Sequence, residues 1–187
     1  VSRYPYSMNT STRTNINRVF LARLAGTAVF DPNGDQLGKI RDAVATLRSN
    51  NQPPWILGFI VEVPPRKRFF VPITRVNSID NGHVIITGLL NMRRFEPRAN
   101  EITVLAEMLD RSVTLIENDE KVTVEDVAME LSKTGDWFIE HVHVTKRGSG
   151  FRKRGASSTV NWTEISGIHI PEIHQSVSNL LGTLANL

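Results

Sequence analysis

Two long apolar-rich segments joined by a turn constrain the fold of this chain more than any other feature. They occupy residues 37–47 and 55–63, and the residues between them, 48–54, are polar or proline. Apolar runs of this length, separated by turn-forming residues, are typical of β-strands. The sequence therefore predicts a long β-hairpin. Its second strand is apolar on both faces, as expected of a central strand that is covered on each side.

The first segment contains an irregularity in its pattern. Its apolar positions change phase by one residue between Ile40 and Ala43. Because side chains alternate between the two faces of a strand, this shift predicts a β-bulge at Arg41 and Asp42. We expect the Asp42 carboxylate to satisfy backbone groups at the bulge. The alternative, acid–base chemistry, would need a histidine or a second carboxylate, and neither lies beside it in the sequence.

Shorter segments on either side of the hairpin complete a small β domain. A strand at 27–30 precedes a tight turn at 31–35, where Asp31, Asn33 and Asp35 have the spacing that begins a calcium-binding loop. The distal glutamate of such a loop is missing, so the turn is favoured. Segments 69–73 and 84–87, the latter after Asn81-Gly82, read as further strands. Five or six strands in about 70 residues predict a small barrel or curled sheet.

The sequence repeats itself at a distance of 84 residues, so that residues 20–47 overlie 104–131 without a gap. The turn recurs at 117–120, and the phase shift recurs between Val124 and Val127. Matched pairs include Leu21 with Leu105, Ala22 with Ala106, Asp42 with Asp126 and Leu47 with Leu131. We expect Asp126 to have the role of Asp42. This agreement predicts a duplicated β domain.

The later part of the repeat needs small shifts. A slip of two residues places Trp137 on Trp55, and an offset of 89 places 160–165 on 71–76. The sequence thus predicts a mainly β protein of two small barrels in tandem with a C-terminal amphipathic helix. Its expected parts are a flexible leader (1–17), a first barrel (18–90), a linker (91–102), a second barrel (103–169) and the helix (170–187).

That helix is predicted from apolar residues spaced by three and four positions. They are Ile173, Val177, Leu180, Leu181, Leu184 and Leu187. Two interpretations remain open: the helix docks back onto the barrels, or it leads into a following helical domain.

Both copies of the repeat carry a basic cluster between their third and fourth strands. The candidate residues for binding an anionic partner are Arg66, Lys67 and Arg68 in the first copy and Lys146, Arg147, Arg152, Lys153 and Arg154 in the second. Phe69, Phe70 and Phe151 lie beside these charges. A charged hairpin end also keeps a sheet edge soluble, and this simpler role stays open.

Two other groups of residues are candidates for chemistry. His141 and His143 share one face of a strand, and a metal would need a third ligand, for which His169 and His174 are the nearest candidates. A packing or solvent-facing role is favoured. Trp55, Trp137 and Trp162 are expected in the core.

Nothing in the sequence forms a recognisable catalytic constellation, so an enzyme is not expected. The chain of 187 residues has no cysteine, which excludes thiol catalysis and disulfides and agrees with a reducing compartment. No apolar run reaches the ~18 residues of a transmembrane helix. We expect a cytoplasmic protein without a metal or other cofactor.

Residues 24–44 resemble the PRC-barrel family, which includes the photosynthetic reaction-centre H subunit and the RimM ribosome-maturation factors. They read LAGTAVFDPNGDQLGKIRDAV, with a glycine-containing turn followed by Leu-Gly-x-Ile-x-Asp. Residues 55–63 and 70–73 match the later strands of the family. In the second copy, Lys121-Val122 replaces Leu-Gly. The resemblance implies small β-barrels that serve as adaptors and carry no catalytic residues.

A tandem pair followed by a helix is also similar to the N-terminal part of soluble actinobacterial proteins. Those proteins continue into the helical N-domain and CBS domains of MgtE-type magnesium transporters. The resemblance implies a non-enzymatic scaffold whose partner is another protein or its own downstream domains, and it is compatible with a homo-oligomer. The alternative is an RNA- or ribosome-associated factor of RimM type that binds through the basic tips.

Overall fold

Strands dominate the part of the chain that the structure describes. The structure is a computed structural model, and it describes residues 17–80, 82–87, 94–146 and 155–168. The first half contains β1 (Arg18–Phe20), α1 (Leu21–Leu24), β2 (Ala28–Phe30), β3 (Gln36–Thr46), β4 (Trp55–Val63), β5 (Lys67–Pro72), a 3₁₀ helix (Ile73–Arg75), β6 (Val76–Asp80) and β7 (His83–Ile86). The second half contains β8 (Glu101–Thr103), α2 (Val104–Met108), β9 (Ser112–Leu115), β10 (Lys121–Leu131), β11 (Trp137–Lys146), β12 (Ser157–Asn161), a 3₁₀ helix (Trp162–Glu164) and β13 (Ile165–Ser166). The predicted mainly β fold is confirmed.

The predicted hairpin is formed by β3 and β4, which pair antiparallel from Lys39 and Glu62 to Thr46 and Trp55. The register shifts between Ile40 and Asp42, so the predicted bulge is confirmed. The same shift occurs in the second half, where β10 pairs with β11.

There the register changes between Val124 and Asp126, again at the predicted position. The turn before β3 also forms as predicted. Asp31 Oδ1 accepts hydrogen bonds from the backbone N–H groups of Asn33 and Asp35, each at 2.9 Å. The aspartate therefore closes the turn with its own side chain.

The two halves share one sheet. The first residues of β4 and β11 meet, with Phe138 paired to Trp55 and the N–H of Ile139 donating to the carbonyl of Pro54 at 3.0 Å. Buried side chains from both halves form one hydrophobic cluster that includes Val29 and Val142. Burial of such apolar surface is the main force that holds the halves together.

Each half also sends a segment across to the other. Strand β1 pairs with β10, so residues 18–24 with helix α1 lie against the second half. Strand β8 pairs with β3, so residues 101–108 with helix α2 lie against the first half. Strand β8 begins inside the segment predicted as the linker, 91–102. The exchange interlocks the halves, because a strand of each half pairs with the long bulged strand of the other.

Backbone hydrogen bonds recur at the 84-residue offset. The N–H of Gly26 donates to the carbonyl of Ile40, and the N–H of Asp110 donates to that of Val124, each at 2.8 Å. The two halves therefore use equivalent residues to close equivalent turns.

Several predicted features lie outside the described residues. They are residues 1–16 of the leader, Asn81 of the second hairpin turn, most of the predicted loop 146–155 and the C-terminal helix at 170–187. Within the described ranges, no helix has the length and apolar character needed to cross a membrane.

Candidate functional site

The buried carboxylate of Asp42 lies where the two halves cross. It accepts hydrogen bonds from the N–H of Ala43 at 2.7 Å, of Leu105 at 2.7 Å and of Ala106 at 3.0 Å. The last two belong to the first turn of α2, so an aspartate of the first half caps a helix of the second. Burial raises the pKa of Asp42, and the three N–H bonds partly offset that rise.

Asp126 makes the mirrored connection. Its Oδ1 accepts the N–H of Val127 at 2.8 Å and the N–H of Ala22, in helix α1 of the first half, at 2.9 Å. Burial raises its pKa as well, opposed by the hydrogen bonds from Ala22 and Val127 and by the nearby His143 and Arg23. The prediction that Asp42 and Asp126 satisfy backbone groups is confirmed, although the partner helices lie too far away in sequence to be predicted.

A basic groove lies beside the Asp42 cap. It has a volume of about 1330 Å³ and runs from the tip of the β4–β5 hairpin to helix α2. Five cations line it: Arg41, Arg66, Lys67, Arg68 and Arg94. A concave surface with this many basic side chains attracts anionic groups.

Glu62 organises part of this charge. Its carboxylate contacts Arg41 at 2.5 Å and Arg68 at 3.5 Å. The hydrogen bond from Arg41 lowers the pKa of Glu62, and the same bond raises the pKa of Arg41. By contrast, Arg66 and Lys67 form no ion pair with any residue that the structure describes, and neither does Arg94. Three cations of the groove are therefore available to a ligand.

The predicted anion-binding residues do not come together in one place. Arg66, Lys67 and Arg68 lie in the groove, whereas Lys146 ends β11 and binds Glu120 at 2.7 Å. Strands β4 and β11 run in opposite directions from their meeting point, so their far ends lie at opposite ends of the sheet. The remaining predicted residues, Arg147, Arg152, Lys153 and Arg154, lie outside the described residues.

Two groove cations were missed by sequence reasoning. Arg41 occupies the bulge itself, and Arg94 lies in the segment predicted to be a linker, 91–102. An isolated bridge between Phe69 and Arg94 brings that segment alongside β5. The only available signal was the arginine-rich composition of residues 91–100, which carries no information about position.

The histidine pair has polar partners within the protein. His141 Nδ1 lies 2.5 Å from Glu130 Oε1, and His143 Nδ1 lies 3.0 Å from Thr159 Oγ1. Among the described residues no group of three or more side chains has the arrangement of a metal site. His169 and His174, the predicted further ligands, lie outside those residues.

The tryptophans differ in their environment. Trp162 is buried at 4% exposure and Trp137 is partly buried, but Trp55 is 44% exposed, so its predicted core position is wrong. The Arg48 guanidinium lies 4.7 Å from the Trp55 ring centroid and 5.6 Å from that of Phe138. Trp55 lies near the surface at the junction of the halves, and the Arg48 guanidinium packs against its ring there.

Comparison with known families assigns a different domain to each half. Residues 16–89 match the PRC-barrel domain, which is therefore present in the first half. Residues 102–171 match a family described as an actinomycetes SH3 domain. No curated protein matches the chain. The molecule is thus a mainly β protein that joins a PRC-barrel domain to an SH3-like second half.

Proposed function

We propose that this chain is a non-enzymatic scaffold for protein interaction. The observation that carries the proposal is the reciprocal capping by Asp42 and Asp126. Each carboxylate is committed to the backbone of the other half, which makes the pair a single platform. A platform of this kind presents a surface of fixed shape, and preorganised surfaces lose less entropy when they bind.

The proposal also concerns the domains that accompany this pair. The recurrence of hydrogen bonds at the 84-residue offset supports a tandem pair of PRC-like domains, even though the second half matches a different family. The resemblance noted above then suggests a cytoplasmic protein in which this pair precedes a helical MgtE-type N-domain and CBS domains. The helical domain is the partner that we propose.

Two measurements test this function. Light scattering gives the mass in solution, and calorimetry gives the affinity for an MgtE-type helical N-domain supplied separately. We expect binding with a dissociation constant in the micromolar range, about −8 kcal/mol. A monomer with no affinity for that domain contradicts the proposal.

A second candidate is an RNA- or ribosome-associated factor. It is favoured by Phe69 and Phe95, which line the groove beside its unpaired cations and offer rings for base stacking. Binding to RNA would then weaken with salt. It would also weaken when Arg66, Lys67 and Arg68, or separately Arg152, Lys153 and Arg154, become neutral. RNA binding that none of these substitutions changes would exclude both tips.

A further inference from the structure

The basic groove opens beside a second pocket that has one apolar wall and one charged wall. This pocket has a volume of about 530 Å³. Its apolar wall consists of Leu57, Phe70, Phe95 and Pro97, and its charged wall consists of Arg94, Glu96, Arg98 and Glu101. Arg94 and Phe95 line both spaces and form the divider between them. The Phe70 and Phe95 rings lie 6.1 Å apart, so the divider is braced against β5. A ligand that crosses this divider contacts the apolar wall of the pocket on one side and the cations of the groove on the other.

The cations of the groove that form no ion pair with a described residue are few in number, so they can pair with only a few carboxylates. Glu62 already occupies Arg41 and Arg68, which leaves Arg66, Lys67 and Arg94 for the ligand. Guanidinium groups pair with carboxylates through two parallel hydrogen bonds, and an ammonium adds a point charge. Three cations therefore match a short acidic segment.

The second half is less favourable than the groove for a long polyanion. Residues 103–169 contain eleven acidic and eight basic side chains, and four of the basic ones are clustered at 147–154. A nucleic acid that extended from the groove over this half would meet like charge, whereas a short acidic segment can stay within the groove. The apolar wall of the pocket also has no counterpart in a phosphate backbone, but it suits a leucine or an aromatic side chain.

We propose that the groove and the pocket together bind a peptide segment of a partner protein, one in which a large apolar side chain lies next to two or three carboxylates. The apolar side chain enters the pocket beside Phe95, and the carboxylates pair with Arg94, Lys67 and Arg66. This inference rests on the proposed scaffold function and names the place where the partner docks.

The test uses the full chain and a fluorescein-labelled peptide with a leucine pair followed by a run of glutamates. Three further probes replace the leucines with serine, replace the glutamates with glutamine, or substitute single-stranded oligouridine of equal length. The groove variant is Lys67→Gln with Arg94→Gln. Its control, Lys121→Gln with Lys133→Gln, removes the same charge from exposed positions of the second half.

We expect the groove variant to bind the peptide about tenfold more weakly, and the control variant to bind it as the native chain does. Phe95→Ala should weaken binding about fivefold and Phe95→Leu should restore much of it. Thermal unfolding of each variant shows whether the fold is retained. Each altered peptide should bind more weakly than the parent peptide.

Three results would overturn the inference: no binding of the parent peptide, equal loss in the groove and control variants, or tighter binding of oligouridine than of peptide. The last would favour the nucleic acid. If the helical N-domain binds the native chain and the groove variant equally, the scaffold function stands and this docking site is wrong. If that domain does not bind but the peptide does, the site stands without that partner.

Discussion

Asp42 and Asp126 lie 84 residues apart, and each uses its carboxylate to hold the first turn of a helix that belongs to the other half. The same side chain closes the bulge of its own strand. One residue type at one irregularity thus performs two tasks: it stabilises a kinked strand and fastens the exchanged segment to it. The fastening explains how helices of four and five residues persist, since helices this short are unstable alone.

The first prediction concerns the loss of these caps. Asp42→Ala should lower the free energy of unfolding by about 2 to 3 kcal/mol, because it leaves the N–H groups of Ala43, Leu105 and Ala106 without their acceptor. Asp126→Ala removes fewer bonds and should cost about 1 kcal/mol. Urea denaturation measures both values.

Asp80→Ala is the control for this series, since the Asp80 side chain has no hydrogen bond within the described residues and its loss should cost less than about 0.5 kcal/mol. Equal effects of Asp42→Ala and Asp80→Ala would show that the cap contributes nothing.

The second prediction is a pH dependence. Burial raises the pKa of Asp42 above that of an unfolded aspartate, about 3.9, so the folded protein binds more protons in the interval between the two values. This contribution to stability is therefore greatest below the unfolded pKa and declines as the pH rises through the folded one. Relative to Asp42→Asn, the native protein should lose stability over that interval. A gain would show that the three N–H bonds outweigh burial.

The third prediction concerns a matched pair of turn residues. Gly26 has a φ of +81° and Asp110, its counterpart, a φ of +63°. A Cβ at Gly26 would meet no atom within 4 Å, so Gly26→Ala should cost about 1 kcal/mol through the backbone alone. Asp110→Gly should be stabilising by about 0.5 kcal/mol, since glycine adopts this conformation without strain. Thermal unfolding of the two variants should show shifts of opposite sign; shifts in the same direction would contradict the matched geometry.

The fourth prediction tests the close approach of β4 to β5. A Cβ on Gly58 would overlap the carbonyl oxygen of Val71 and the ring of Phe70. Gly58→Ala should therefore destabilise the first half by about 3 kcal/mol or more, because a backbone atom cannot move aside as a flexible side chain can. Calorimetric unfolding provides the measurement. A cost below about 1 kcal/mol would mean that the strands are further apart than the structure shows.

The local features of the fold were predictable from the sequence. The phase shift at Ile40 and its recurrence at Val124 predicted the positions of both bulges. The two apolar runs separated by turn residues predicted the central hairpin. These predictions succeed because the period of a strand and the residue preferences of a turn depend only on residues that are close together in the sequence.

The exchange between the halves was not predictable. Strands β1 and β8 have three residues each, too few for a period, and their partners lie more than fifty positions away. The groove was found only in part for the same reason. Arg66, Lys67 and Arg68 are consecutive and form a recognisable cluster in the sequence. Arg41 and Arg94 are distant in sequence, and only the folded sheet brings them beside that cluster. The core position predicted for Trp55 is wrong because the residue type does not reveal that its central strand begins at an exposed junction.

Native-state hydrogen exchange tests the interlocked fold most directly. If each half depends on a segment of the other, the amides of Ile40 in β3 and Val124 in β10 should open with free energies that agree within about 1 kcal/mol, and Asp42→Ala should lower both together. Exchange in which one half opens about 3 kcal/mol more easily while the other stays protected would show that the halves fold independently.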